Sequence, residues 1–568
     1  MWPCQHIFRI SVETSVKSAL EAVGFMGESH VLLVGFEAEG DHQFPICIDP
    51  EDGPYTPREL AHVVSQTEET YEQHPDRDML YSDQRSRHLH PIRLRRRIRS
   101  SILEQCLSET PQGRQWEFFA GMPARVEDYE VHVVIGLEKS ALTKVPRIKT
   151  TERDRISIPP SLVHALITDI LSRSTRSLTL PEPGSSLLVL HASTSEILRS
   201  ATDYFLRSLV YCAGTIFGND LDLLLNNISS MPYEGRSGQG KIIIAERSMR
   251  GLHIVLEFEV PVKLSDVRAV RKILEASGPS GFLLADDGKV YGLGSVGLEY
   301  DESSETAFAV TISDRGAWEL HHSATILLQV RDGVPRLPAP PLDPAYLEDL
   351  IARLLPGANV PVLLSLAYAA QENEHGTMLV ISSSADMEAH RLSPQAWVVK
   401  PRVIERDLLI QLTAMDGATL VDVHGHCHAM GVILDGHAAG KGDPSRGSRY
   451  NNAIRYLDSN PPPAIVIVYS SDGTIDILPR LEPRVRRCDV ESAVRRYLDL
   501  AASDSMNIRE IVKAWDLVKS LRFYLTAEQC EHLNAARQGV EHRNPSQIRI
   551  IEPILAPDGA MNDSYWLD

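Results

Sequence analysis

The sequence predicts an α/β protein that ends in a domain with a mixed central sheet flanked by helices, preceded by one or two further α/β domains. Apolar runs typical of buried strands, such as HVLLVGF, KIIIAE and IVIVY, alternate with amphipathic helical stretches along the chain. The helix predicted at the start of the last α/β domain is clear, because Asp343 can cap it and Pro344 suits its first position. At 568 residues the chain exceeds what one hydrophobic core usually supports.

The clearest domain boundary is the segment RDGVPRLPAPPLDP at residues 331–344, which contains five prolines. Proline disfavours both helix and sheet hydrogen bonding, so this segment is expected to be a linker. We predict four parts: an α/β domain at 1–150, a second sensor-like α/β domain at 151–335, the last α/β domain at 336–485 and a helical extension at 486–568.

Composition restricts the function classes. The net charge of −19 argues against non-specific nucleic-acid binding, which needs surplus cations, but it leaves a nucleotide ligand open. Seven scattered cysteines without a CxxC pair favour reduced thiols over disulfides or a zinc knuckle. The start lacks a secretory signal and no apolar run is long enough to span a membrane. We therefore expect a cytoplasmic protein.

The last α/β domain shows a regular order of elements. After the first helix we predict a buried strand at Thr377–Ser382, a helix at Ala385–Leu392, a strand at Ala396–Lys400, an amphipathic helix with Ile404, Leu408, Leu409 and Leu412 on one side, a hairpin with its turn at His424–Gly425, a helix at Ser448–Leu457 and the strands IVIVY and TIDIL. This order predicts a central sheet, with polar residues in the segments that connect its strands and helices.

Two features of this domain suit a phosphate ligand. Asp416 lies at a predicted helix-to-strand junction, and Gly417 after it would let a ligand approach the backbone. The segment Gly440–Arg449, GKGDPSRGSR, carries three cations and ends at a predicted helix start, where free N–H groups and arginines suit phosphate oxygens. If Asp416 held a metal ion and faced the phosphate-binding segment, the two together would suit nucleotidyl transfer.

The motifs MDGATLVD, HAMGVILDG and RGSRYNNAIRY, in this order, resemble the diadenylate cyclase domain, of the type found at the N-terminus of DisA. That family carries an Asp-Gly-Ala motif followed by Gly-Thr/Ser-Arg-His-Arg-Ala-Ala, and HGTMLVISSSADMEAHRL at 375–392 is similar to its early strand and helix. The preceding segment, from FLLADDGKVYGLGSV to WELHHSATILLQV, is similar to sensor regions that precede some of these domains.

The resemblance implies condensation of two ATP molecules into the second messenger cyclic di-AMP, with loss of two pyrophosphates, in a homodimer or higher homo-oligomer whose ATP sites face each other. It implies that Asp416 and Arg449 are catalytic residues. Asp416 would also be a ligand of Mg²⁺ or Mn²⁺, with Asp472 as a second candidate. The ATP site would be formed by Gly417, Ala418, Gly447, Ser448, Arg449, Tyr450 and Asn451. The sequence departs from the family at Tyr450, where the motif has His, and at Asn451, where it has Arg.

One alternative function stays open, and two further motifs lack the surrounding sequence that their usual function requires. A catalytically inactive nucleotide-binding sensor with the same fold is the main alternative to the enzyme. The histidines 424, 426 and 428 in VDVHGHCH suggest a metal-dependent hydrolase, but too few residues follow for the barrel that such a motif requires. The G-x-G-x-x-G match at residues 292–297 is followed by an acidic segment without helical periodicity, so we interpret it as structural turns rather than a dinucleotide site.

Overall fold

The computed structural model describes all residues except 39–42, 186–188, 217–219, 233–239, 279, 339–341, 372–375, 437–446, 460, 471–473, 504–507, 544–553 and 568. Its contacts divide the chain into two compact units, Met1–Pro338 and Ala339–Asp568. The predicted division into four domains stays a prediction. In the described residues, each helix is too short or too polar to cross a lipid bilayer.

The first unit contains fifteen strands and eight α-helices in its described residues. The strands are β1 (Ser29–Glu37), β2 (Ile46–Asp49), β3 (Trp116–Ala120), β4 (Ala124–Val126), β5 (Tyr129–Glu138), β6 (Glu152–Arg153), β7 (Ile156–Ser157), β8 (Gly240–Ala245), β9 (Leu252–Lys263), β10 (Phe282–Asp286), β11 (Lys289–Val296), β12 (Ala307–Asp314), β13 (Ala317–His322), β14 (Thr325–Arg331) and β15 (Val334–Arg336). The helices are α1 (Gln5–Val23), α2 (Val63–Gln73), α3 (Gln84–Glu109), α4 (Lys139–Leu142), α5 (Leu162–Leu178), α6 (Thr194–Cys212), α7 (Leu221–Ser230) and α8 (Val267–Leu274).

The N-terminal sheet of this unit has the order β2-β1-β5-β3, with β4 also paired to β5, and its pairs are antiparallel. Six consecutive residues of β1 are buried because helices cover both faces of the sheet. Helices α1 and α5 pack on one face with Val31 and Leu33, and α2 and α3 pack on the other with Leu32 and Val34.

The second sheet of the unit has eight strands in the order β15-β14-β13-β12-β8-β10-β11-β9. The G-x-G-x-x-G segment lies mostly within β11, so our interpretation of it as turns is wrong, whereas its rejection as a dinucleotide site is consistent with this position. A Cβ at Gly292 would lie 2.2 Å from the carbonyl oxygen of Leu256, and one at Gly294 would lie 2.2 Å from that of His253. These glycines therefore allow β9 to approach closely.

The second unit contains six strands and eight α-helices in its described residues. The strands are β16 (Thr377–Ser382), β17 (Trp397–Val403), β18 (Ala418–Asp422), β19 (His426–Val432), β20 (Ala464–Tyr469) and β21 (Ile475–Leu478). The helices are α9 (Pro344–Leu354), α10 (Val360–Gln371), α11 (Ala385–Arg391), α12 (Arg406–Thr413), α13 (Ser448–Asp458), α14 (Arg487–Ala502), α15 (Ile508–Ser520) and α16 (Ala527–Arg543).

The sheet of the second unit is mixed, in the order β17-β19-β18-β16-β20-β21. Strands β16 and β18 are parallel, with Met378 opposite Ala418, and the other pairs are antiparallel. Helices α9, α10 and α12 pack on one face, and α11 and α13 pack on the other. The predicted α/β class with a mixed central sheet flanked by helices is thus confirmed.

The last three helices, α14 to α16, bury their apolar faces mainly against one another. Val494, Tyr497, Trp515 and Leu533 belong to a core cluster separate from the two clusters that cover the sheet. The three helices form a helical core of their own beside the sheet.

Candidate functional site

Asp416 lies in the short connection between α12 and β18, at the predicted helix-to-strand junction. Its side chain is 97% exposed, so the carboxylate is available to a ligand from solution. Gly417 has a φ of +106°, and a Cβ at this position would lie 2.5 Å from the carbonyl carbon of Gly431. Only glycine fits this close approach of the start of β18 to the paired strand β19, and it holds Asp416 at the end of the sheet.

Arg449 reaches Asp416 from the first turn of α13. Its Nη2 lies 3.4 Å from Asp416 Oδ1. Nε of Arg449 is buried and has no hydrogen-bond partner among the described residues. Nη2 of this guanidinium therefore approaches the carboxylate, whereas Nε is shielded from solvent, so Arg449 can donate to a phosphate oxygen only through its terminal nitrogens.

The N-terminus of α13 presents backbone N–H groups next to this pair. Gly447 is the N-cap residue and supplies no capping side chain. Nδ2 of Asn451 donates to the carbonyl oxygen of Gly447 at 3.2 Å, which fixes the start of the helix. Ser448 is exposed at the first helical position. The first backbone N–H groups of α13, which Gly447 does not cap, and the Arg449 guanidinium together provide donors suited to an anionic ligand.

Ala418 and Tyr450 are oriented mainly toward the protein. Ala418 is 1% exposed and packs in the apolar cluster between the sheet and helices α11 and α13, and Tyr450 is partly buried against the same cluster. Ala418 can therefore contribute to a ligand site mainly through its backbone. Two elements of the predicted site, the loop residues 437–446 and Asp472, lie outside the described residues.

A buried polar network connects α13 to α11 and to the chain that follows β19. Tyr456 Oη donates to Glu388 Oε2 at 3.0 Å, and Glu388 on α11 is 4% exposed. Arg391 donates to Glu388 (Nη2 to Oε2, 2.8 Å) and to Asp435 (Nη1 to Oδ2, 2.6 Å). Hydrogen bonds from Arg391 to Glu388 and Asp435 raise the pKa of the guanidinium, which stabilises its charged form.

This network was not predicted from the sequence. It links α13 to Asp435, which follows β19, so it anchors the chain on both sides of residues 437–446. The one available signal was the pair Glu388 and Arg391, which are three residues apart on a predicted helix. Their partners come from distant parts of the chain.

The histidines of VDVHGHCH have a different arrangement from a metal centre. Oδ2 of Asp422 lies 3.1 Å from Nδ1 of His426 and 3.1 Å from Nε2 of His428, and Oδ1 of Asp422 accepts the backbone N–H of His424. Among the described residues no group of three or more His, Cys, Asp or Glu side chains is arranged to hold a metal ion. Two of the histidines thus serve as partners of one half-buried carboxylate at the hairpin turn.

Comparisons with known proteins concern mainly the first unit. Residues 1–206 match the family model described as "Probable sensor domain DACNG", and residues 220–324 match the one described as "Probable sensor domain DACNH". No curated protein matches the chain.

Two solved structures share limited similarity with the chain. A hypothetical membrane spanning protein from Bacillus cereus is 20% identical, with a TM-score of 0.19, over 23% of this chain and 66% of that one. A double cysteine mutant of DacA from Staphylococcus aureus is 18% identical, with a TM-score of 0.18, over 23% of this chain and 83% of that one. The matches to the two family models place similarity to sensor domains in residues 1–206 and 220–324.

Proposed function

We propose that the second unit is a diadenylate cyclase that condenses two ATP molecules into cyclic di-AMP and two pyrophosphates. The observation that carries the proposal is the 3.4 Å approach of Arg449 Nη2 to Asp416 Oδ1 at the N-terminus of α13. This approach supports the proposal because it sets a carboxylate suited to a divalent ion beside donors suited to a triphosphate, where β18 and α13 begin.

The residues present suit Mg²⁺ or Mn²⁺ bound together with a nucleotide. Mg²⁺ in nucleotide sites is commonly held by one or two carboxylates, with phosphate oxygens and waters completing its shell. Asp416 offers one fully accessible carboxylate of this kind. When bound, the ion would offset negative charge on the triphosphate as the α-phosphorus is attacked.

The protein residues act mainly by positioning. Ser448 and the first N–H groups of α13 bind phosphate oxygens, and Arg449 offsets the charge that develops on the leaving pyrophosphate. In each of two steps the 3′-oxygen of one ATP forms a bond to the α-phosphorus of the other. The bond to pyrophosphate breaks, and the hydroxyl proton passes to solvent. Because one domain holds one ATP, two copies must face each other, which makes a two-fold homodimer the active species.

The similarity of residues 1–206 and 220–324 to sensor domains supports a regulatory role for the first unit. A second candidate function, an inactive nucleotide sensor, is favoured by one observation. Tyr450 and Asn451 replace the His and Arg of the family motif and remove cationic groups next to Arg449. In that case the unit binds ATP without turning it over.

Incubation of the full chain with ATP and Mn²⁺, followed by chromatography for cyclic di-AMP, separates the two functions. The cyclase forms product, and Asp416→Asn abolishes it. The matched control is Asp407→Asn, because Asp407 is similarly exposed but lies on α12 away from α13. Saturable ATP binding without product would instead establish the sensor.

A further inference from the structure

The N-terminal domain contains a cavity of about 390 Å³ at one end of its sheet. Helix α1, strand β1, the chain after β2 and the chain before β3 all contribute to its walls. This volume is within the range of small-molecule sites. The cavity lies within residues 1–206, the part of the chain that is similar to a sensor domain.

An open sheet edge forms the floor of the cavity. Strand β1 pairs with β5 from Ser29 to Glu37, but with β2 only from Leu33 to Phe36. Residues Glu28 to Leu32 line the cavity. In an antiparallel strand every second residue directs its N–H and C=O to the same side, so this edge offers backbone donors and acceptors to a bound molecule.

Aromatic side chains form one wall. The His30 ring lies edge-to-face against Trp116, with centroids 4.3 Å apart, and is stacked at 6.1 Å from Tyr55. Burial lowers the pKa of His30 to about 4, so the ring is neutral near pH 7. Nε2 of His30 is buried and has no hydrogen-bond partner among the described residues. This wall is mainly apolar and suits the carbon chain of a ligand.

The charges around the cavity favour a positive ligand. Among the described residues, Arg9 is the one cation in the lining, and it is already paired: Nε lies 2.7 Å from Asp49 Oδ1, and Nη1 lies 2.6 Å from Glu13 Oε2. Glu28 adds a further exposed carboxylate to the lining. The lining therefore carries two carboxylates against one guanidinium, and the buried Asp49 lies behind Arg9, so an anionic ligand would meet net repulsion.

We infer that this cavity binds a small organic cation, with its ammonium or guanidinium group toward Glu13 and Glu28 and its carbon chain on Tyr55 and Trp116. The inference goes beyond the proposed cyclase activity. It is measured by binding, so a failed cyclase assay leaves it intact, and its failure leaves the cyclase proposal intact.

Calorimetry on the full chain at pH 7.5 tests it with four probes: putrescine and agmatine as cations, 1,4-butanediol as the neutral analogue of putrescine, and succinate as an anion. We expect saturable binding of at least one cation, at least about tenfold tighter than the diol or succinate. Glu28→Gln and Trp116→Leu should each weaken the binding by about tenfold, whereas Glu21→Gln, a change at an exposed position of α1, should leave it unchanged.

Three results would overturn the inference. One is that neither cation gives a binding signal up to about 10 mM, a concentration at which even weak sites fill. Another is equal binding of the diol or succinate. The third is wild-type affinity in Glu28→Gln. Because Trp116→Leu removes a partly buried ring, its unfolding transition is compared with wild type, and the exposed Glu28→Gln variant keeps the test valid if Trp116→Leu fails to fold.

Discussion

Arg449 Nη2 and Asp416 Oδ1 lie 3.4 Å apart, although 33 positions separate the two residues in the sequence. The pair is at the surface, with side chains 33% and 97% exposed, so it stabilises the fold by less than about 1 kcal/mol. Such a contact matters for a ligand more than for folding. This distinction allows the site to be tested without disturbing the unit that carries it.

Arg449→Gln is expected to weaken ATP binding by about tenfold or more, because it removes a charged donor to the triphosphate. The unfolding midpoint should change little, since an ion pair at the surface stabilises the fold by less than about 1 kcal/mol. Isothermal titration with ATP and thermal unfolding check the two halves of this prediction. Arg455→Gln, at an exposed position near the other end of α13, is the matched control. Equal loss of affinity in both variants would point to a general electrostatic effect.

Gly417→Ala is expected to destabilise the second unit by about 1–3 kcal/mol. The residue has a φ of +106°, and its added Cβ would meet backbone atoms of Gly431 at 2.5 to 2.9 Å. Gly447→Ala is the control, because a Cβ there meets no atom of the described residues within 4 Å and φ is −64°. Urea unfolding monitored by circular dichroism measures both. A loss in Gly417→Ala no larger than in Gly447→Ala would contradict the close approach of Gly417 to Gly431.

Tyr456→Phe is expected to cost about 1–2 kcal/mol, because the buried Glu388 loses a hydrogen-bond donor. If the network positions α13, the variant should also weaken ATP binding although Tyr456 does not line the site. The control is Tyr368→Phe, since Tyr368 is exposed on α10 of the same unit. Urea unfolding and ATP titration are the measurements. Stability lost with ATP affinity intact would make the network purely structural.

His132 is expected to make the first unit less stable in acid. Its ring is fully buried, and burial together with the charge of Arg99 lowers its pKa to about 3. Between the unfolded value of about 6.5 and this pKa, only the unfolded state binds the proton. Stability therefore falls as the pH decreases through that window, by up to about 1.4 kcal/mol per pH unit.

The comparison with His132→Asn isolates this effect, because asparagine can still donate to the carbonyl oxygen of Gly121, which lies 3.0 Å from Nδ1 of His132. Burial raises the pKa of Glu104 to about 7, which stabilises the folded state on acidification, but this contribution is common to both proteins. Urea unfolding from pH 7 to pH 4 should show a steeper acid loss for wild type. Parallel curves would mean that His132 does not remain neutral in the fold.

The elements of the second unit could be predicted where local signals agree. Strand β16 begins and ends where we predicted, because six apolar or small residues form one continuous buried run. The side chain of Asp343 accepts from the backbone of Ala345 and Tyr346, as the cap prediction required. The prediction for Leu408 is wrong: it is 45% exposed while Leu409 is buried, because adjacent residues on a helix face different directions.

The site could be predicted only in part. The order of motifs predicted that Asp416 and the start of α13 belong to one site, and the structure places Arg449 beside Asp416. The contact between Tyr456 and Glu388 could not be predicted, because it depends on how α13 and α11 pack on the same face of the sheet. The approach of Gly431 to Gly417 follows from the predicted hairpin of β18 and β19, although the sequence did not indicate which residues meet at its open end.

The central claim is that Asp416 holds a divalent ion together with the triphosphate bound by Arg449. Electron paramagnetic resonance of Mn²⁺ with 3′-deoxy-ATP tests it most directly, because this nucleotide lacks the attacking hydroxyl and remains bound. We predict nucleotide-dependent binding of Mn²⁺ to the full chain that is weakened at least about tenfold in Asp416→Asn and unchanged in Asp407→Asn. Equal Mn²⁺ binding by the wild type and Asp416→Asn would contradict the claim.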